Sequence, residues 1–255
     1  MVRFILLGHG RSGSTLIVRS LGEHPNVRVF GELFHYSEQE RERAFHALNE
    51  SFGAERAERR FYREGGDGAE FLREGVFYER PWEDISAVGF KMFYPHARGD
   101  AGARRAWDYL IENKEIHVIH LSRANLLESW LSLRVASITK EWVWYAGSAG
   151  KRTQLPPLTL DPAECEAYCN QILAQRQWAA EVFRNHPTLE IEYDADIVQN
   201  YQATMDRIHD LLGVERRPAR QILEKQARRK PREQILNYHD FEEHFRHTLY
   251  ERFFR

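Results

Sequence analysis

A glycine-rich turn near the amino terminus constrains the fold more than any other feature of this sequence. Residues 8–15 read GHGRSGST, directly after the apolar run VRFILL and directly before LIVRSLG. Gly8, Gly13 and Thr15 fit the phosphate-loop pattern G-x-x-x-x-G-K-[ST], whereas Ser14 stands in the position of the lysine. A strand, a glycine turn and a helix in this order direct the first amides of the helix toward a bound anion. The sequence therefore predicts an anion site at this turn.

Strand-like apolar runs and helix-like runs alternate along the rest of the chain. Strands are expected at 27–30 and 87–93 and within EIHVIHLSR and LEIEY, with helices between them. This alternation predicts an α/β fold, in which a single P-loop-like domain covers 1–255 and has a mainly parallel central sheet flanked by helices. The charge-dense segment 37–80 is interpreted as a helical insertion or cap rather than as a core βα unit.

The composition argues against several classes of function. The 255 residues carry a net charge of −2 with a pI of about 6.6, so no global basic field is available for nucleic acid or an anionic membrane. No apolar run approaches the roughly 20 residues of a spanning helix. The first apolar run is too short for a signal peptide, so a cytoplasmic location is expected. Cys165 and Cys169 are expected to be structural thiols in one helix, and no four-ligand metal pattern occurs.

The residues inside the turn suit an oxyanion. Arg11 places a guanidinium within the turn, and guanidinium groups form charge-assisted bonds to oxyanions. Ser12, Gly13, Ser14 and Thr15 add amide or hydroxyl donors. A lysine in the usual position would reach the β- and γ-phosphates of a magnesium-bound triphosphate. Its replacement by serine favours a shorter anionic chain with one terminal group in transfer.

With these residues the chain resembles the sulfotransferases that use 3′-phosphoadenosine 5′-phosphosulfate (PAPS). RSGST resembles their 5′-phosphosulfate loop, and VIHLSRANLLESWLSLRVA resembles their 3′-phosphate motif, an arginine that ends a strand and a serine in the next helix. The resemblance implies that residues 11–15 bind the phosphosulfate. It also implies that Arg123 and Ser132 bind the 3′-phosphate, with Ser129 as the rival serine. ILEKQARRKPREQILNY resembles a C-terminal basic loop that covers the nucleotide, which implies a role for Arg228.

The resemblance also implies the reaction. A sulfuryl group would pass in line from PAPS to a hydroxyl of a small molecule, carbohydrate or lipid, with adenosine 3′,5′-bisphosphate (PAP) as product and no metal. Positioning and electrostatics should dominate such catalysis. A P-loop nucleotide kinase or hydrolase with an altered loop is the alternative, but it needs a magnesium-binding acid at a strand end, and none is clear. A nucleotide-binding regulator is the non-enzymatic alternative. The sequence does not choose the acceptor or the oligomeric state.

Three residues are candidates for the chemistry at the acceptor. Glu32 follows the second strand and resembles the base of bacterial carbohydrate sulfotransferases, and its apolar neighbours are expected to raise its pKa toward neutrality. His35, on the same stretch, is the rival base. Lys91 ends a buried strand at the edge where ligands bind, so it is expected to hold sulfuryl oxygens or the acceptor. His96 and His120 are expected to be structural.

Overall fold

The computed structural model describes residues 1–52, 66–78, 84–144, 153–220 and 229–254.

A five-stranded parallel sheet forms the centre of the fold. Its strands follow one another along the sheet in the order β2-β3-β1-β4-β5, and every neighbouring pair is parallel. β1, with the sequence VRFILLG, is central because apolar side chains on both faces of a strand require cover on both sides. The predicted α/β class with a parallel central sheet is confirmed. The strands are β1 Val2–Gly8, β2 Val27–Phe30, β3 Ala87–Phe93, β4 His117–Ser122 and β5 Thr188–Glu192.

Helices connect the strands and cover both faces of the sheet. Two π-helical turns, Phe71–Val76 and Tyr193–Val198, and a 3₁₀ turn at Glu251–Phe254 complete the regular structure of the described residues. The helices are α1 Ser14–Gly22, α2 Glu38–Phe52, α3 Gly68–Glu70, α4 Ala101–Glu112, α5 Leu126–Thr139, α6 Pro162–Val182, α7 Tyr201–Leu212, α8 Pro231–Gln234 and α9 Tyr238–His244.

The alternation of side chains along β1 separates two hydrophobic cores. Phe4 and Leu6 pack with residues of α1 and α7, whereas Ile5 and Leu7 pack with residues of α4 and α6. A third cluster joins α5, α6 and the carboxyl-terminal helices. Because all the strands are parallel, the loops that follow β1, β2, β3 and β4 meet at one edge of the sheet. This is the edge where α/β proteins bind ligands.

Part of the segment expected to be an insertion or cap lies in the core. Phe71, Leu72, Val76 and Phe77 are each at most 2% exposed and belong to the same core as Ile5. These residues form part of the β2–β3 connection and pack against the sheet. The high charge of the surrounding sequence hid their apolar spacing.

Two smaller expectations concern cysteines and membranes. Cys165 and Cys169 are both buried in α6 and both are free thiols, as predicted. Within the described ranges, no helix combines the length and the apolar character that crossing a membrane requires.

Candidate active site

The glycine turn joins β1 to α1 in a conformation that few residues tolerate. Gly13 has a φ of 86°, and a Cβ on it would lie 2.7 Å from Cδ2 of Tyr193, so glycine is required there. Arg11 also has a positive φ, of 69°. The Ser12 hydroxyl donates to the His9 carbonyl at 2.7 Å, which fixes the turn from inside. The first amides of α1, which opens with Ser14 and Thr15, have no partner within the helix and so can bind an anion.

Arg11 joins the turn to α5. Its Nε donates to Oγ of Ser132 at 3.0 Å, and another guanidinium nitrogen donates to the Trp142 carbonyl at 2.7 Å. Ser129 points elsewhere, since its hydroxyl lies 2.9 Å from the hydroxyl of Tyr168 on α6. Of the two rival serines, Ser132 thus lies beside the turn and Ser129 lies against α6.

Arg123 follows the end of β4 and is enclosed by acidic groups. It is 6% exposed, its terminal nitrogen donates to Glu128 at 2.5 Å, and its Nε lies 3.7 Å from Oδ2 of Asp194. Its guanidinium also stacks over the ring of Tyr193 at 4.7 Å. A phosphate at this position would share the guanidinium with two carboxylates, which the sequence did not indicate.

One arginine of the basic tail has a described contact. Arg228 lies outside the described residues. Its neighbour Arg229 donates to the Leu155 carbonyl at 3.3 Å.

Glu32 and Lys91 form the centre of a charged cluster at the same edge. Nζ of Lys91 lies 2.7 Å from Oε1 of Glu32 and 3.4 Å from Oγ1 of Thr15. Lys91 pairs with Leu6 in the register of β3 on β1 and is 7% exposed. A lysine from β3 thus lies beside the start of α1, where the loop itself carries a serine in the usual lysine position.

The pKa of Glu32 is lowered, contrary to the expectation from its apolar neighbours. Burial raises this pKa, but the charge and hydrogen bond of Lys91, followed by His96 and His35, outweigh burial and bring it below 4.5. The expectation of a pKa near neutrality is wrong because the sequence did not show that Lys91 would contact this carboxylate. Glu32 is therefore ionised throughout the neutral range.

Two histidines face the second oxygen of Glu32. Nε2 of His96 lies 3.5 Å and Nε2 of His35 lies 3.7 Å from Oε2. Each Nδ1 accepts a main-chain hydrogen bond, from Ser37 at 3.0 Å for His35 and from Phe93 at 3.1 Å for His96. The neutral rings must then carry their proton on Nε2. Burial lowers the pKa of His96 to about 4, so this ring is neutral and points an N–H group at the carboxylate.

The same three residues are close enough to hold a metal ion. Ligand atoms of Glu32, His35 and His96 lie within 4.8 Å of one another. A histidine that binds a metal usually donates its other ring N–H to an acceptor. Here the other nitrogen of each ring accepts a bond from an amide instead, so the nitrogen that faces the cluster is protonated. This donor set suits an electrostatic contact with Glu32 better than it suits metal coordination.

The fold and the site together define a class. P-loop-like α/β proteins that bind phosphate-type anions typically combine three features. These are a parallel sheet of this order, a glycine turn after its central strand, and charged side chains at the same edge of the sheet.

Comparisons with known proteins narrow this class. The chain is 27% identical to Nodulation protein H of Rhizobium tropici over 258 residues, which cover 98% of this chain and 92% of that protein. It is 26% identical to Nodulation protein H of Rhizobium meliloti (strain 1021), with coverage of 98% and 94%. The crystal structure of a sulfotransferase from Alicyclobacillus acidocaldarius covers 100% of this chain and 99% of its own, with 15% identity and a TM-score of 0.48. No protein-family model matches the chain.

The resemblance to sulfotransferases inferred from the sequence is confirmed. The chain is similar to Nodulation protein H along nearly its whole length. Together with the site, this similarity indicates an enzyme of the sulfotransferase type.

Proposed function

We propose that this enzyme transfers the sulfuryl group of PAPS to a hydroxyl group of a small-molecule, carbohydrate or lipid acceptor and releases PAP. The observation that carries the proposal is the position of the Lys91 ammonium. It contacts Oε1 of Glu32 at 2.7 Å and Oγ1 of Thr15 at 3.4 Å. The candidate base and the glycine turn thus contact the same buried ammonium group. A reaction between an acceptor hydroxyl and a bound sulfuryl group would take place beside this group.

The donor would lie along the turn and the start of α5. The amides that open α1, together with Arg11, Ser12, Gly13 and Ser14, would bind the phosphosulfate. The bond from Arg11 to Ser132, 3.0 Å long, supports a continuous site in which both parts of one nucleotide are bound. Arg123 and Ser132 would bind the 3′-phosphate, and Arg228 of the basic tail would cover the nucleotide.

Glu32 would act as the general base. In the reaction the acceptor oxygen forms a bond to sulfur, the bond from sulfur to the phosphate oxygen breaks with its electron pair going to that oxygen, and the acceptor proton passes to Glu32. Lys91 would stabilise the negative charge on the sulfuryl oxygens or the leaving group. A carboxylate has about four lone-pair sites, so Glu32 keeps capacity for the acceptor proton beside Lys91 and the histidines.

His35 is less suited to be the base. Its Nδ1 lone pair already accepts the Ser37 amide at 3.0 Å, and its Nε2 must carry the proton when the ring is neutral. To accept another proton, the ring would have to lose the bond to that amide. The N–H groups of His35 and His96, 3.7 and 3.5 Å from Oε2, are too far for normal hydrogen bonds, so these rings would support the charge of the Glu32 carboxylate through space.

A donor-binding and turnover experiment tests this proposal. We expect PAP to raise the melting temperature in the presence of EDTA, by roughly 5–10 °C at a hundredfold excess over Kd. Labelled PAPS should transfer its sulfuryl group to at least one member of a panel of hydroxyl acceptors. Stabilisation by magnesium-ATP but not by PAP would support the kinase alternative. PAP binding without turnover on any acceptor class would favour a regulator.

A further inference from the structure

Buried polar atoms without a partner concentrate beside the glycine turn. Within the described part of the chain, four buried side-chain nitrogen or oxygen atoms have no hydrogen-bond partner. Three of the four are Nδ1 and Nε2 of His9 and Nε of Arg123, and the fourth is Oε1 of Gln234. Native proteins pair nearly all such groups, because an unpaired buried donor or acceptor is destabilising. Their concentration in two residues points to a ligand that supplies the missing partners.

His9 is held rigidly in this unpaired position. The residue is 2% exposed and lies in the turn directly after β1. Its carbonyl accepts the Ser12 hydroxyl at 2.7 Å, and the Gly8 carbonyl accepts the Tyr94 amide at 3.1 Å. Because the main chain is fixed on both sides, the ring has little freedom to find another partner.

The surroundings of His9 are cationic and otherwise well paired. Burial, followed by the charges of Arg176, Arg123 and His120, lowers the pKa of His9 to about 3, so the ring is neutral. Neighbouring His120 has partners on both nitrogens, Glu190 at 2.8 Å and the Tyr94 hydroxyl at 2.7 Å. The lack of partners is therefore specific to His9 and to one nitrogen of Arg123.

The unpaired atoms define the chemistry of the missing ligand. Arg123 Nε can only donate, and Oδ2 of Asp194, 3.7 Å away, is too distant for a hydrogen bond, so Nε suits a closer acceptor such as an oxyanion. A neutral imidazole donates one hydrogen bond and accepts another, so His9 suits a ligand that presents an oxyanion next to a hydroxyl group. A ribose that carries a 3′-phosphate presents these two groups on adjacent carbons.

We propose that His9 contacts the nucleotide directly and that it binds, together with Nε of Arg123, the 3′-phosphorylated ribose of the donor. This inference rests on the proposed function, because it assumes that the donor is PAPS. It adds a ligand-binding role for His9, and it explains why a histidine with two unpaired nitrogens is buried under the anion-binding turn.

The His9→Phe variant separates a ligand-binding role from a structural one. Phenylalanine keeps the ring shape but needs no hydrogen bonds, so we expect the ligand-free melting temperature to rise by about 2–4 °C. Measured by calorimetry, the same variant should bind PAP at least about tenfold more weakly, and it should lose clearly less affinity for adenosine 5′-phosphate, which keeps the ribose hydroxyls but lacks the 3′-phosphate. His9→Leu repeats the test with a smaller apolar side chain if phenylalanine does not fit. His9→Gln, which keeps a donor and an acceptor, should restore most of the PAP affinity.

His186→Phe is the matched control. His186 is also buried, but its ring nitrogens lie 3.0 Å and 3.2 Å from the carbonyls of Ile116 and Ile111, before β4 and far from the turn. This variant should lower the melting temperature and leave PAP affinity unchanged.

Four outcomes would overturn the inference. A lower melting temperature with normal PAP affinity in the apolar His9 variants would show a structural role. Equal losses for PAP and adenosine 5′-phosphate would show that His9 does not contact the 3′ side. If wild-type protein binds neither nucleotide, the proposed donor is wrong and the inference fails with it. If wild type binds PAP and the His9 variants match it, only the inference fails.

Discussion

Replacing Glu32 by glutamine should remove catalysis while changing stability little. The substitution keeps the shape and a hydrogen bond to Lys91, 2.7 Å away, but removes the negative charge. Charge-assisted hydrogen bonds are worth about 1.5–3 kcal/mol and roughly twice a neutral bond, so the free energy of unfolding should fall by about 1–1.5 kcal/mol. Loss of a general base should lower kcat by roughly 10²–10⁴, which is about 2.7–5.4 kcal/mol of activation free energy. The loss in catalysis should therefore clearly exceed the loss in stability.

The pH dependence gives a second test of the same residue. Because the folded-state pKa of Glu32 lies below 4.5, its pairing with Lys91 stabilises the fold above that pH. This stabilisation is lost as the pH falls through the lowered pKa. The acid limb of the rate profile should likewise lie below pH 4.5 in wild type and should be absent in Glu32→Gln.

The assay is steady-state transfer from labelled PAPS, combined with thermal melting and PAP titration. Asp210→Asn is a matched control, since Asp210 is an ion-paired carboxylate on α7 bound by Arg216 at 2.8 and 2.6 Å. This control should keep normal kcat. The reasoning is refuted if Glu32→Gln retains kcat within about threefold of wild type. It is also refuted if the acid limb lies between pH 6 and 7, which would indicate a histidine. Loss of activity in Lys91→Met with normal activity in Glu32→Gln would assign the chemistry to the lysine.

Three further predictions concern the donor site. Arg11→Ala should weaken PAP binding by about 10-fold or more, since one charge-assisted bond is worth roughly 1.5–3 kcal/mol. Circular dichroism should show an intact fold, and unchanged PAP affinity would contradict a role of Arg11 in donor binding. Arg123→Ala should cost more affinity for PAP than for adenosine 5′-phosphate in calorimetric titrations, whereas equal losses would show that it does not contact the 3′-phosphate. Ser132→Ala should weaken PAP binding and Ser129→Ala should not, because Ser132 alone of the two bonds to Arg11, at 3.0 Å; the reverse result would reassign the serine.

The sequence predicted the sheet better than the segments around it. β2 and β3 span residues 27–30 and 87–93, as the apolar runs indicated. Buried parallel strands are easy to recognise because both of their faces must be apolar. The burial of residues 71–77 depends on contact with the sheet, which local charge density does not reveal.

The sequence named candidate residues for the site, but it did not show the contacts among them. Glu32, His35 and Lys91 do lie together, since parallel strands end at one edge. The lowered pKa of Glu32 could not be foreseen, because it depends on a distance between residues 59 positions apart in the sequence. His96 was expected to be structural, although its place three residues after the end of β3 could have suggested the ligand edge. The partners of Arg123 were likewise hidden, since Asp194 follows β5.

Under the proposed mechanism, the placement of Lys91 makes the length of β3 a condition for activity. Lys91 lies opposite Leu6, between Phe90 and Met92, whose side chains enter the other core. An inserted or deleted residue in β3 would shift the strand by one position. An apolar side chain would then occupy the place of the Lys91 ammonium, although the sheet could still form. We therefore expect that insertions in this family of sequences accumulate in connecting segments and that the span from the start of β3 to Lys91 keeps a constant length. Lengthening β3 by one residue should therefore give a folded protein that lacks sulfuryl-transfer activity.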